Sequence, residues 1–288
     1  MINPNQKVIP MKKYFLTILN MLFLFTLASC DREDIMGDTK LLPKFIPNTT
    51  SVIPYHNNIV AHWTLEYNQD AIKSVNSNYY LQRMGYLWEA PFGKFGSALS
   101  GFSNDNYYYW EDLSRTGTTE FDKDFMVEVW VSSTDFLNTQ TIISKNTLSA
   151  SKGWSCRISS AGLAQIWYGT GTTVDYITNS KPLTTGWHYL AFIFRNSTRE
   201  GVVYLDGIVT ETMKSLMTYS ASTTEMILGC DNDTPSNMNP FNGLIDDVVF
   251  WGDIDQVSDA TIRQYIENRW NGGVGKQYSD SPGTIVLY

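Results

Sequence analysis

The sequence predicts an all-β protein built as a sandwich of two antiparallel sheets, with one short C-terminal helix. Short strand-like runs separated by turn residues recur from residue 58 onward, and 14% of all residues are aromatic, enough for a substantial core. This pattern favours one domain over residues 58–288. The expected strands are Ile59–Leu65, Tyr107–Glu111, Phe125–Ser133, Thr141–Lys145, Trp154–Ser159, Leu163–Tyr168, Trp187–Arg195, Val202–Asp206, Met226–Gly229 and Leu244–Trp251.

Two of these runs carry a further signal. Phe125–Val131 and Tyr189–Phe194 are apolar at nearly every position, which indicates strands that are covered on both faces. Asp206 and Gly207 stand between strand-like runs and predict a hairpin turn.

The C-terminal helix is predicted from its cap, its periodicity and its stop. Ser258 can accept hydrogen bonds from the first turn, and Gly272 and Gly273 favour an end. We expect the helix to pack across one edge of the sandwich. Its apolar face consists of Ile262, Tyr265, Ile266 and Arg269.

The N-terminal residues have the pattern of a secretory signal peptide. Lys12 and Lys13 precede the apolar run Tyr14–Leu27, which is shorter than the roughly 20 residues that span a bilayer. Met11 is a second candidate start. The run Leu27-Ala28-Ser29-Cys30 resembles a bacterial lipobox, which implies cleavage before Cys30 and lipidation of its sulfur.

This resemblance divides the chain into a signal peptide at residues 1–29, a lipidated N-terminus and flexible tether at residues 30–57, and the sandwich domain. The acidic run Asp31-Arg32-Glu33-Asp34 resembles the export tag of surface lipoproteins in the Bacteroidetes. It therefore implies a lipid anchor in the outer membrane, exposed at the cell surface. A solvated acidic linker is the alternative.

The charge of the chain excludes one class of partner. Residues 1–29 hold three lysines and no acid, so their removal changes the net charge from −8 to about −11. A surface this acidic, without a basic cluster, repels the phosphates of nucleic acids. We therefore expect no nucleic-acid partner.

Several phrases together resemble the laminin-G-like branch of the concanavalin A-like jelly rolls. They appear in the family's order, and they imply a two-sheet antiparallel jelly roll. The phrases are Ala61-His62-Trp63, Phe95-Gly96-Ser97-Ala98-Leu99, Glu128 and Trp130 within their strand, Gly186-Trp187-His188, Tyr204-Leu205-Asp206-Gly207, Phe241-Asn242-Gly243, Ile245-Asp246-Asp247-Val248 and the closing helix.

The residues do not favour catalysis. Retaining glycosidases on this fold use a Glu-x-Asp-x-x-Glu strand, whereas Glu128 is the sole acid within its strand here. His56, His62 and His188 lack metal-ligand spacing with one another. We expect His188 to be structural.

Aromatic residues are the natural candidates for a binding role, because sugar rings stack their C–H faces on Trp and Tyr. Each of these aromatic side chains has the alternative of ordinary core packing. A polar loop after a strand can add hydrogen bonds to hydroxyl groups. The candidates are Trp154, Trp167, Tyr168, Tyr176, Asp231, Asn232 and Asp233.

Calcium is implied by the resemblance, because many relatives hold one ion at the rim of the sandwich. Asp246 is the first candidate ligand, followed by Asp231 and Asp233, and the alternative is a structural aspartate with a solvated acidic loop. The sequence leaves open whether Cys156 and Cys230 form a disulfide.

These observations lead to one expectation and two alternatives. We expect a surface lipoprotein whose sandwich domain binds glycans or glycoconjugates without turning them over. The alternative is a structural or accessory subunit that docks onto an outer-membrane protein complex; a glycoside hydrolase is a weaker third interpretation.

Overall fold

The computed structural model describes residues 57–66, 69–75, 77–110, 123–133, 135–214, 219–232 and 238–273. The predicted signal peptide, Cys30, His56, Asp233 and the tether up to residue 56 lie outside these ranges. No helix within them is long and apolar enough to cross a membrane.

Strands dominate the described residues. The elements are β1 (Ile59–Trp63), β2 (Ala71–Lys73), β3 (Tyr80–Met84), β4 (Trp88–Ala90), β5 (Ala98–Ser100), β6 (Tyr107–Trp110), β7 (Phe125–Ser133), β8 (Gln140–Thr147), β9 (Lys152–Ile158), β10 (Ala164–Gly169), β11 (Val174–Thr178), β12 (Gly186–Arg195), β13 (Glu200–Leu205), β14 (Ile208–Lys214), β15 (Met226–Leu228), β16 (Gly243–Trp251) and α1 (Asp259–Gly273), with 3-10 turns at Leu148–Ala150 and Ile254–Gln256.

The strands form two sheets in which the neighbours pair antiparallel. Sheet I has the order β14-β13-β12-β7-β16-β5-β4, and β1 also pairs with β16. Sheet II has the order β11-β10-β9-β8-β15-β6-β3-β2. The predicted two-sheet jelly roll with one C-terminal helix is therefore confirmed, and each of the ten expected strands is present.

Strand β7 lies at the centre of sheet I and explains its unbroken apolar run. Phe125, Val127 and the other residues of that parity point into the core between the sheets, whereas Met126 and Trp130 point to the outer face. That outer face is covered by α1, so both faces of the strand are buried.

Helix α1 forms as predicted, but its position differs. The N–H of Thr261 donates to Ser258 Oγ at 3.2 Å, which caps the first turn. Ile262 and Ile266 are buried, and burying each contributes roughly 1.5–3 kcal/mol. The helix covers the central strands β7, β12 and β16 of sheet I rather than an edge, because the outward apolar residues lie there.

The hairpin prediction is confirmed. Asp206 and Gly207 both adopt positive φ, at 55° and 79°, which is the conformation of a tight two-residue turn between β13 and β14. The Asp206 carboxylate also accepts hydrogen bonds from the Tyr189 N–H at 3.0 Å and from His188 Nδ1 at 2.9 Å. His188 therefore helps to hold this hairpin.

The two cysteines of the domain do not form a disulfide. Cys156 and Cys230 are free, buried thiols. Cys156 points into the core between the sheets, whereas Cys230 packs with Ile227 and Met238 in a separate cluster. Their side chains lie on opposite sides of sheet II, which rules out the bridge in this structure.

Candidate functional site

The candidate site lies on the outer face of sheet II, where Trp167 of β10 is directly opposite Tyr176 of β11. Side chains alternate along a strand, so Ile166 and Tyr168 enter the core while Trp167 points outward. Tyr176 is 58% exposed, and Trp167 is 7% exposed. Together the two rings give this edge of the sheet an aromatic surface.

Arg157 covers Trp167 on the same face. Its neighbours Cys156 and Ile158 point into the core, so the alternation of β9 turns Arg157 outward. The guanidinium carbon lies 4.9 Å from the centroid of the Trp167 ring, within the range of a cation–π contact. Arg157 was not among the residues predicted from the sequence, although the alternating run Trp154-Ser155-Cys156-Arg157-Ile158 indicates that it points outward.

Asp231 joins the loop after β15 to this face. Its carboxylate forms an ion pair with Arg157 at 2.9 Å and accepts hydrogen bonds from the amides of Asn146 at 3.2 Å and Asn239 at 3.0 Å. The N–H of Asn232 donates to Asn146 Oδ1 at 3.3 Å. Both oxygens of Asp231 are thus engaged, and this residue anchors the loop to sheet II.

Several buried polar atoms beside the aromatic pair have no hydrogen-bond partner among the described residues. They are Arg157 Nε, Ser155 Oγ and Thr141 Oγ1. Ser155 is opposite Trp167, and Thr141 is opposite Arg157, so the three belong to one patch. A buried polar group without a partner costs about 1–3 kcal/mol. This patch therefore has unused hydrogen-bonding capacity next to the aromatic pair.

The structure corrects the candidate set at Trp154 and Tyr168. Trp154 is fully buried in the core, and its ring contacts Phe125 at 5.0 Å and Phe194 at 5.6 Å between centroids. The Tyr168 side chain is also in the core, and its hydroxyl donates to Asp175. Both rings lie on the opposite side of the sheet from Trp167 and Tyr176, so they cannot meet the same ligand.

Asp246 supports a loop rather than facing solvent. It is fully buried and accepts hydrogen bonds from the backbone N–H groups of Phe95, at 2.8 Å, and Lys94. Burial raises the pKa of Asp246 well above its ordinary value, and the neighbouring Asp247 carboxylate raises it further. The loop from residue 93 to residue 97 is thus held against β16.

Asp231 and Asp246 do not fit a calcium ion. Both oxygens of Asp231 are engaged by Arg157 and amides, and burial favours the neutral form of Asp246. The part of the chain that the structure describes holds no group of three His, Cys, Asp or Glu residues that could bind a metal.

Chelation should therefore leave the stability unchanged. A bound ion raises the melting temperature of the folded state, so thermal unfolding in excess calcium and in EDTA is the measurement. We expect the same midpoint in both buffers. A midpoint that rises with calcium would place an ion on the fold.

Glu66 makes a pH-dependent contribution to the stability of the fold, next to the loop from residue 93 to residue 97. Its carboxylate accepts a hydrogen bond from the Ser97 N–H at 3.0 Å, and burial raises its pKa to about 7 from 4.5, offset in part by that bond. The folded state holds this proton more tightly than the unfolded chain, so stability should fall as the pH rises from about 4.5 to about 7.

We expect Glu66→Gln to raise the melting temperature at pH 8 and to have a smaller effect at pH 5, because it removes the cost of burying the charge. Thermal unfolding at the two pH values measures this difference. Glu267→Gln, on the exposed side of α1, is the control and should be neutral at both. An equal effect of Glu66→Gln at both pH values contradicts the assignment.

Glu128, the strand carboxylate singled out from the sequence, is enclosed beneath α1. It accepts hydrogen bonds from Tyr189 Oη at 2.5 Å, Trp251 Nε1 at 2.5 Å and Arg269 Nε at 3.2 Å. Arg269 also donates to Asp247 at 2.5 Å. Glu128 thus serves to hold the helix on sheet I.

Solved structures with the same fold include receptor-binding domains of botulinum neurotoxins. A type C structure from work on cell entry dependent on two ganglioside molecules aligns with a TM-score of 0.55 and 14% identity, over 75% of this chain and 51% of that one. The binding domain of neurotoxin DC in complex with rat synaptotagmin II gives 0.55 and 16%, over 75% and 52%. This chain therefore spans about half the length of these structures, and the likeness concerns the fold.

Comparison with curated protein sequences gave no match. A family model described as the concanavalin A-like lectin/glucanases superfamily matches residues 102–262, which is more than half of the chain. This range includes β7, β10, β11 and most of the outer face of sheet II. The chain therefore belongs to the concanavalin A-like lectin/glucanases superfamily, in its laminin-G-like branch.

Proposed function

We propose that this protein is a lipid-anchored, non-catalytic glycan-binding protein at the outer surface of the outer membrane. The observation that carries the proposal is the pairing of Trp167 and Tyr176 beside the unpartnered Arg157 Nε and Ser155 Oγ. A sugar ring has an apolar C–H face that can stack on Tyr176, and a shift of the side chains that cover Arg157 and Ser155 would let its hydroxyl groups reach the unpartnered atoms. Both chemistries meet at one edge of sheet II.

The placement of the carboxylates supports binding without catalysis. Glycoside hydrolysis uses two carboxyl groups that flank the scissile bond. On the proposed face, Asp231 is neutralised by Arg157 and held by two amides. Glu128 lies beneath α1 on the other sheet and is completely buried. Neither group is available to a bound sugar.

The lipid anchor is part of the proposal and rests on the run from Leu27 to Cys30. In cells fed an alkyne-labelled palmitate, the wild-type chain should acquire the label. Cys30→Ser should remove the label, because the sulfur is the predicted acceptor, whereas Cys156→Ser should retain it. Labelling of Cys30→Ser at the wild-type level would contradict lipidation at this residue.

Native gels that contain a polysaccharide test the binding role. The full chain, purified in detergent, is run in gels with yeast mannan, laminarin or xyloglucan, each with calcium and with EDTA. We expect retarded migration in at least one polysaccharide, equal in both buffers. Unchanged mobility in every gel would contradict glycan binding and favour the alternative role in an outer-membrane protein complex.

A further inference from the structure

A second aromatic pair lies outside the site described above. Tyr86 and Trp88 are 60% and 64% exposed, and Trp88 belongs to β4, at the edge of sheet I. Their ring centroids are 5.6 Å apart and their planes meet at 88°. The pair therefore forms a right-angled aromatic surface that faces solvent.

The backbone around the pair restricts the Trp88 ring and is itself held at residue 86. A Cβ atom at residue 101 would lie 2.4 Å from Cδ1 of Trp88, so the indole rests against the chain at a position that only Gly101 permits. The N–H of Tyr86 donates to Asn106 Oδ1 at 2.8 Å, and Gly85 packs against the same oxygen. A ring that is already restricted loses little entropy when a ligand binds.

Polar groups surround this aromatic surface. Ser103 Oγ accepts hydrogen bonds from Asn106 Nδ2 at 2.8 Å and from the Asp105 N–H at 3.2 Å, and Asp105 is exposed. A standard protein interface buries about 800 Å² on each partner around an apolar centre. Two exposed rings beside hydroxyl, amide and carboxylate groups fit a sugar better, and the exposed carboxylate of Asp105 favours a neutral one.

We infer that Tyr86 and Trp88 form a second glycan-binding site, for neutral saccharides, at the edge of the sandwich opposite Trp167 and Tyr176. This inference rests on the proposed function. Strand β4 is six strand spacings from β14, which packs beside β11, so the two sites are roughly 30 Å apart. A short oligosaccharide occupies one site at a time, whereas a polysaccharide can reach both and gain avidity.

Fluorine NMR can detect binding at the two sites, Trp88 and Trp167, separately. The full chain is labelled with 5-fluorotryptophan, and the signals of Trp88 and Trp167 are assigned by their loss in Trp88→Phe and Trp167→Phe. The probes are mannohexaose, laminarihexaose and a xyloglucan heptasaccharide. We expect one of these probes to shift both signals.

The possible results separate the inference from the proposed function. A shift of Trp167 alone overturns the second site and supports the first, whereas a shift of Trp88 alone supports the second site and overturns the first. No shift of either signal with any probe overturns both sites.

Affinity for the polysaccharide gives an independent readout. Trp88→Ala should weaken retention by about tenfold or more on the polysaccharide whose oligosaccharide shifts both signals. The shift of the Trp167 signal with that oligosaccharide should stay intact. Leu137→Ala removes another exposed apolar side chain, on a different part of the fold, and should leave retention unchanged. Full retention by Trp88→Ala contradicts the second site.

Discussion

Replacing Arg269 with alanine should lower the melting temperature by about 10 °C. Arg269 is buried between two acidic residues, and it donates to Glu128 at 3.2 Å and to Asp247 at 2.5 Å. Removing one partner of a buried ion pair costs about 3–5 kcal/mol, which corresponds to a shift of this size for a domain of over 200 residues. Thermal unfolding followed by circular dichroism measures it.

The control for this change is Arg263→Ala, which removes an exposed arginine from the same helix. It should shift the midpoint by no more than a few degrees. Equal effects of the two substitutions would show that Arg269 contributes no more than a surface charge.

The effect of Arg269→Ala should also depend on pH. Burial alone would raise the pKa of Asp247, but the charges of Arg269 and His62 hold it well below its ordinary value. A carboxyl group whose pKa is lowered in the folded state stabilises the fold at pH values above its pKa in the unfolded chain, which is about 4. This stabilisation is lost as the pH falls below that value. The difference between variant and wild type should therefore shrink under acid.

Replacing Tyr176 with alanine should weaken glycan binding by about tenfold without changing the melting temperature by more than about 2 °C. The ring is 58% exposed, so it contributes little to the core, whereas its loss removes the accessible half of the aromatic pair. Tenfold corresponds to about 1.4 kcal/mol, a usual size for one stacking contact. Isothermal titration calorimetry, with the oligosaccharide that shifts the Trp167 signal, measures the affinity.

Two further variants make this result specific. Tyr176→Phe keeps the ring and should retain most of the affinity, whereas Leu137→Ala removes an unrelated exposed side chain and should retain all of it. A Tyr176→Ala protein that binds as tightly as the wild type would exclude stacking on β11.

The sequence predicted the inner strands better than the edges for a physical reason. Strands β7, β12 and β16 are buried on both faces, and their apolar runs are long. The expected set omitted six strands, which are the outermost strands β2, β4, β11 and β14 and the strands β3 and β5 that lie next to β2 and β4. Edge strands face solvent along one side, so β2 and β4 are only three residues long and carry no clear apolar pattern.

The site was predictable in part. Side chains alternate between the two faces of a strand, so Trp167 and Tyr168 of β10 point to opposite faces, as do Trp154 and Arg157 of β9. Applying this alternation to the sequence would have excluded Trp154 and Tyr168 from the candidate binding residues. The ion pair between Arg157 and Asp231 joins residues 74 positions apart. No local pattern reports such a contact, because it depends on how β15 and its loop return to sheet II.

Glycan binding at Trp167 and Tyr176 is tested most directly by a crystal structure of the protein with the oligosaccharide that shifts the Trp167 signal. We expect a sugar ring stacked on Tyr176, with a hydroxyl group within hydrogen-bond distance of Arg157 Nε or Ser155 Oγ. A sugar that leaves this face of sheet II empty and binds only elsewhere on the sandwich would contradict it.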